Sequence, residues 1–145
     1  MSDGRGISAA VEKLVDCLTR GGGSQALSAG TEAERFAERE LVAQGARVLA
    51  RNARCRGGEL DLVVAHAGYV AFVEVRLRRR ADFGGAAASI TPAKQRRLIH
   101  AAQHWLLHEG RAYARQPCRF DAVLLDGLPP THAEWLQGAF EAEPC

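Results

Sequence analysis

The stretch Gly58–Arg78, GELDLVVAHAGYVAFVEVRLR, constrains this chain more than any other. Val, Leu, Phe and Tyr alternate with other residues on both sides of Ala67-Gly68, the pattern of a β-hairpin closed by a short glycine turn. With a two-residue loop, His66 faces Tyr69, and stepping back along the ladder sets Asp61 opposite Glu74 and Glu59 opposite Arg76. Like charges facing each other across a sheet destabilise it, and Val63, Val70 and Phe72 on the same face make the surroundings partly apolar. A divalent cation removes that penalty. Mg²⁺ takes oxygen ligands, commonly one or two carboxylates plus a substrate phosphate. The competing reading is a charge ladder of Glu59, Asp61, Glu74 and Arg76 on a solvent-washed face.

The chain has 145 residues, 47% hydrophobic and 25% charged, so one domain with an adequate core is expected. No apolar stretch is long enough to cross a bilayer, and the N-terminus carries Asp3 without an apolar run behind it. A soluble, cytoplasmic protein is the expectation. Cys17, Cys55, Cys118 and Cys145 form no CxxC pair, which points to reduced thiols rather than a structural zinc site. A net charge of +2 does not by itself call for nucleic acid, but its distribution is uneven. Arg76, Arg78, Arg79 and Arg80 follow the second acidic strand, Lys94, Arg96 and Arg97 open the next helix, and residues 141–145 form an acidic tail. A basic rim beside a carboxylate pair suits a phosphodiester, and an ordinary solvated loop has the same composition.

Residues 1–29 read as an extension. Ile7, Val11, Leu14, Val15 and Leu18 recur at helical spacing, and Gly21-Gly22-Gly23-Ser24 then breaks the pattern. Such a helix folds back on its own domain or docks on a partner protein. The main domain, residues 30–140, starts at Thr31, where Thr31 and Glu34 fit a capping box ahead of the apolar positions Ala33, Phe36, Ala37 and Leu41. Glu34 either caps this helix or points towards the sheet and extends the acidic cluster. Arg47–Asn52 reads as a strand, followed by a turn through Gly57-Gly58 and the hairpin.

Thr91-Pro92 is a strong helix start, and Leu98, Ala101, Ala102, Trp105 and Leu106 supply its buried stripe. Lys94 lies on that stripe in the first turn, where the helix dipole disfavours a cation. Either an anion across the fold holds it or the side chain reaches out to solvent. His100, His104 and His108 share one helix side but lack the glutamate of an HExxH zinc site. Cys118–Leu125 is a final buried strand, in which Asp121 faces the acidic cluster or satisfies nearby donors. Residues Ala133–Phe140 receive no assignment. The reading is an α/β fold, a mixed four-stranded sheet flanked by helices in the order α-β-β-β-α-β.

That order, with GTEAERFA at Gly30–Ala37, Asn52-x-Arg54, GELDL at Gly58–Leu62, FVEVR at Phe72–Arg76, then Arg78, Lys94 and RFD at Arg119–Asp121, closely resembles the YraN-like family. That family is assigned to small endonucleases of the PD-(D/E)XK superfamily, related to archaeal Holliday-junction resolvases. The resemblance covers about Gly30–Phe140 and implies a restriction-endonuclease-like core. It implies Asp61 and Glu74 as ligands of Mg²⁺ or Mn²⁺, the backbone carbonyl of Val75 as a third oxygen, and Glu34 completing the site. It also implies DNA as the partner, with Arg78, Arg79, Arg80, Arg96 and Arg97 along its path and Lys94 reaching in from its helix. The superfamily normally carries Lys two residues after the Glu, where this chain has Arg76. Arginine keeps a positive charge but cannot give up a proton near neutral pH. Three expectations follow: a DNA endonuclease, a nucleic-acid-binding module that has lost catalysis, or an interaction scaffold using residues 7–18.

Overall fold

Ala33, Ala37 and Leu41 recur every four residues, which puts three apolar side chains on one face of a helix, and in the computed structural model all three are fully buried. The structure describes residues 23–78 and 90–142, the stretch 23–30 through its backbone only. The helix expected over residues 7–18 and the arginines Arg79 and Arg80 lie outside the described residues. Helix α1 spans Gly23–Ala43 and therefore runs straight through Thr31. The expected cap at Thr31, and the break at Gly23-Ser24, are corrected accordingly. Gly30 costs a helix only about 1 kcal/mol, and the preceding Gln-Ala-Leu-Ser-Ala run contains no proline or β-branched residue to stop it. At the other end Gly45 takes φ +99°. The Ala46 N–H reaches Leu41 O and the Gly45 N–H reaches Val42 O, a Schellman stop that turns the chain into the sheet.

Strands β1 (Arg47–Cys55), β2 (Gly58–His66) and β3 (Tyr69–Leu77) form an antiparallel meander. Strand β1 extends three residues beyond the expected Asn52, because Ala53 is buried and Cys55 still pairs with Gly58. Helix α2 (Pro92–Leu107) crosses over to β4 (Cys118–Leu125), which runs parallel to β3, and β5 (Ala133–Phe140) returns antiparallel to β4. Among the described residues the sheet has five strands in the order β1-β2-β3-β4-β5, one more than expected. No helix among them is long and apolar enough to cross a membrane.

The expected details of α2 are present. Thr91 caps it through a hydrogen bond from the Lys94 N–H at 3.2 Å, Pro92 opens it, and Leu98, Ala101, Ala102 and Trp105 are its buried face. These residues pack with Leu60, Val63, Val70, Phe72, Phe120, Ala122 and Leu124. On the other side of the sheet α1 packs on Leu62, Val64, Ala71, Val73, Val75, Val123 and Leu125. The fold is thus three layers, with one helix on each face of the sheet.

Asp121 and Gly58 fix these layers. Asp121, fully buried, accepts from Arg119 Nε and Nη2 at 2.8 and 2.9 Å, from Trp135 Nε1 at 2.9 Å and from the Gly138 N–H at 3.0 Å. It satisfies local donors and ties β5 to β4; it does not join the acidic cluster. Gly58 lies against α2 so closely that a Cβ there would stand 2.4 Å from Arg97 O and 3.1 Å from Ala101 Cβ. Asp121→Ala is expected to cost about 3–5 kcal/mol, since it removes the partner of the largely buried Arg119 and the acceptor of Trp135 and Gly138, and Gly58→Ala about 1–3 kcal/mol through overpacking. Urea unfolding of each variant beside the parent measures both.

Candidate functional site

Strands β2 and β3 pair from His66↔Tyr69 to Leu62↔Val73, the register expected from the turn, and no further. Beyond that rung β2 continues along β1 to Gly58, while β3 continues beside β4 to Leu77. Asp61 and Glu74 are the first residues past the last rung. Side-chain alternation along β2 fails at the same place. Leu60 and Val63 enter the core under α2, whereas Leu62 and Val64 enter the core under α1. A regular strand would put Leu60 and Leu62 on one face. On the neighbouring strand, Asn52 adopts φ +49° between the pairs Arg51↔Leu62 and Ala53↔Leu60. The carboxylate of Asp61 consequently reaches across the gap, and its Oδ2 accepts from the Val75 N–H at 2.8 Å.

The parting of the strands also corrects the expected Glu59–Arg76 pairing. Glu59 instead accepts from Arg54 Nε at 2.8 Å across the β1–β2 rung. Arg76 is half-buried beside Leu124 of β4, and its charge acts on Glu74.

Asp61 and Glu74 are 3% and 2% exposed, so neither is on a solvent-washed ladder. Burial, then the charges of Glu74 and Glu34, push the Asp61 carboxyl well above its ordinary range, against the Val75 N–H and Lys94. Glu74 is also raised by burial, opposed chiefly by Lys94, then by its hydrogen bond with Asp61 and by Arg76. Lys94 Nζ stands 3.5 Å from Glu74 Oε2, and the lysine side chain is largely buried. The odd first-turn placement of Lys94 is therefore explained by an anion across the fold. Glu74 Oε2 nevertheless has no hydrogen-bond partner.

A cavity of about 480 Å³ opens beside Asp61, between α1 and the β1–β2 edge. From α1 it is lined by Thr31, Glu34, Arg35, Glu38 and Arg39, and from the sheet by Arg51, Asn52, Asp61 and Leu62. Glu34 is half-buried there and raised to about 8 by burial, then by Glu59 and Glu74 against Arg54. Its role is in the cavity and not in a helix cap. Glu38 accepts from Arg51 Nε and Nη2 at 2.6 and 2.8 Å.

The structure thus brings together Asp61, Glu74, Val75 and Lys94, sets Glu34 in the adjoining cavity and Arg76 along β3. Among the described residues no group of three or more His, Cys, Asp or Glu side chains is arranged to hold a metal ion. The donor chemistry of the Asp61–Glu74 pair fits a hard cation. Two buried carboxyls repel each other, and one buried oxygen lacks a hydrogen bond. His104 stacks on His108 at 4.1 Å, and His100 Nε2 is 3.0 Å from Arg56 O, so this row is engaged locally. Of the expected DNA-contacting arginines, Arg78 is ion-paired with Glu134, Arg96 is exposed on α2, and Arg97 is half-buried.

Sequence reasoning missed Arg35, Glu38, Arg39 and Arg51, and gave Asn52 no role beyond the Asn52-x-Arg54 motif. The signal was available for the helix: Thr31, Glu34, Arg35, Glu38 and Arg39 follow the i, i+3, i+4, i+7, i+8 spacing of a single face, next to the apolar stripe.

The protein family described as "Uncharacterised protein family UPF0102" matches residues 33–125, a span that runs from α1 through β4. A UPF0102 protein of Methylobacillus flagellatus is 52% identical over 113 residues, covering 78% of this chain and 96% of the relative. Another, of Nitrosomonas europaea, is 49% identical over 119 residues, covering 81% of this chain and 98% of the relative.

The acidic cluster carries a pH signature. A carboxyl raised on folding stabilises the protein fully below its unfolded pKa and loses that contribution as pH rises through the folded one. For Glu34 the window runs from 4.5 to about 8. Asp61 and Glu74 act in the same direction. The melting temperature of the metal-free protein is expected to fall across this window, and Glu34→Gln to flatten the fall, as measured by calorimetry at stepped pH.

Proposed function

The chain belongs to the uncharacterised protein family UPF0102, and on that footing we propose that it is a metal-dependent hydrolase of DNA phosphodiesters with a PD-(D/E)XK type of site. The observation that carries this reading is the convergence of two buried carboxyls, Asp61 and Glu74, where β2 and β3 part, with Lys94 Nζ 3.5 Å from Glu74. A divalent cation held by Asp61 and Glu74 would supply Lewis acidity to a phosphoryl oxygen and ease ionisation of a nearby water.

The chain's own residues divide the remaining work. The Val75 N–H fixes the Asp61 carboxylate from the opposite strand, so one ligand is oriented by main chain. Lys94 holds Glu74 in place and brings a cation to the reacting phosphate, where negative charge builds up in the transition state. Arg76 adds a permanent charge next to Glu74 but accepts no proton near neutral pH. We assign removal of the water's proton to Glu34, the half-buried carboxyl of the adjoining cavity, in its ionised form.

Arg76 also favours a second reading, a nucleic-acid-binding module without turnover. A cleavage assay on linear, flapped and four-way DNA with Mg²⁺ or Mn²⁺ separates the two. The hydrolase is expected to cut at least one substrate, to lose cutting with Asp61→Ala or Glu74→Ala, and to slow by about 10²-fold with Lys94→Ala. A parent that cuts nothing at any metal concentration, beside an Arg76→Lys variant that does, would instead establish the module.

A further inference from the structure

Cavities, histidine rows, exposed apolar residues and sheet edges differ in what they can support, and the α1 cavity supports most. Its polarity changes with depth. Asp61 is buried at the floor and Glu34 half-buried above it, while Arg35, Arg39 and Arg51 are exposed at the mouth. Neither Arg35 nor Arg39 is held by a hydrogen bond or close ion pair among the described residues; both act on Glu38 at longer range. Arg39 lies over the Phe36 ring, 5.9 Å from its centroid, which leaves its guanidinium edge open to a ligand. Arg51 is engaged by Glu38 in a two-point pair at 2.6 and 2.8 Å, but its own side chain is 60% exposed, so a phosphate has access to the guanidinium and competes with Glu38 for it.

We propose that this mouth is a binding track for the sugar-phosphate backbone of a single DNA strand, with Arg35 and Arg39 as standing phosphate contacts and Arg51 as a third, released when phosphate displaces Glu38. The proposal rests on the hydrolase reading for its choice of ligand. Two features select backbone over bases. The residues lining the cavity include no aromatic ring on which a base could stack, and no neutral amide other than Asn52. The volume, about 480 Å³, is that of a small-ligand site and admits one strand's backbone rather than a duplex. Cationic groups at the mouth draw the strand in, and the acidic floor lies directly beyond them. The track therefore lies on the α1 side of the sheet, away from Arg96 and Arg97 of α2.

Equilibrium binding of a labelled single-stranded oligonucleotide of mixed sequence to the full chain, in metal-free buffer over a range of salt, tests this without any cleavage. Arg35→Ala/Arg39→Ala is expected to weaken binding about tenfold and to reduce the log–log salt slope by about 1.4, about 0.7 for each phosphate of a single strand that is no longer neutralised. Glu38→Gln is expected to tighten binding several-fold, a gain that damage to the fold would not produce. Arg111→Ala/Arg115→Ala, at exposed positions between α2 and β4 and outside the cavity lining, is expected to leave affinity and slope unchanged. No binding by the parent, an unaltered slope in the Arg35/Arg39 variant, or weaker binding by Glu38→Gln would each overturn the track. Absence of cleavage with these binding results intact would overturn the hydrolase and leave the track standing.

Discussion

One hydrogen bond organises the site: Val75 donates its N–H to the Asp61 carboxylate where a backbone carbonyl of β2 would otherwise accept it. A regular hairpin would continue its ladder and point alternate side chains to fixed faces. Here the rung is replaced by a side chain, so β2 and β3 can diverge without leaving the Val75 donor unpaired, a loss that costs about 1–3 kcal/mol when buried. The divergence opens the gap that the two carboxyls occupy. The raised carboxyls of Asp61 and Glu74 and the largely buried Lys94 are found at or beside that gap.

The surrounding layers hold an arrangement that is unfavourable on its own. Burying two acids together is electrostatically costly, and Lys94, 3.5 Å from Glu74 Oε2, relieves Glu74 most and Asp61 least among the groups acting on each. The cost is offset by the two apolar cores on either side of the sheet, in which Leu60, Leu62, Val63, Val64, Val73 and Val75 are almost wholly removed from water. The acids therefore persist because the strands carrying them are deeply packed on both faces.

Much of this was legible in the residues. The Ala67-Gly68 turn fixed the hairpin register, Thr91-Pro92 gave the start of α2, and Cys118–Leu125 read as a buried strand with the bounds it has. What failed did so for physical reasons. The Thr31–Glu34 pair satisfies a capping pattern, but a pattern cannot reveal that the preceding residues continue the helix. Strand β5 was hidden because AEWLQGAF is weakly patterned and contains Gly138 at φ +65°. Its pairing depends on Trp135 and Gly138 reaching a buried Asp121 on another strand. The parting of β2 from β3 was out of reach for the same reason: it depends on a backbone irregularity shared with Asn52 of β1. The arginines of the cavity mouth are scattered along the chain and gather only through the spacing around a helix, whereas those after β3 stand out by their local density of charge.

The contact of Gly58 with the Arg97 carbonyl has a consequence for how the site can vary. Lys94 lies one helical turn before Arg97, and Glu74 and Asp61 lie on strands whose positions are set by the same sheet. The height of the lysine over the acids is therefore gauged by main chain resting on main chain, with no intervening side chain to act as an adjustable spacer. Changes elsewhere in the α2 core can loosen the whole assembly, but they have no easy way to slide the ammonium along the strand. In such a scaffold tuning of the centre must come from exchanging the charged groups themselves.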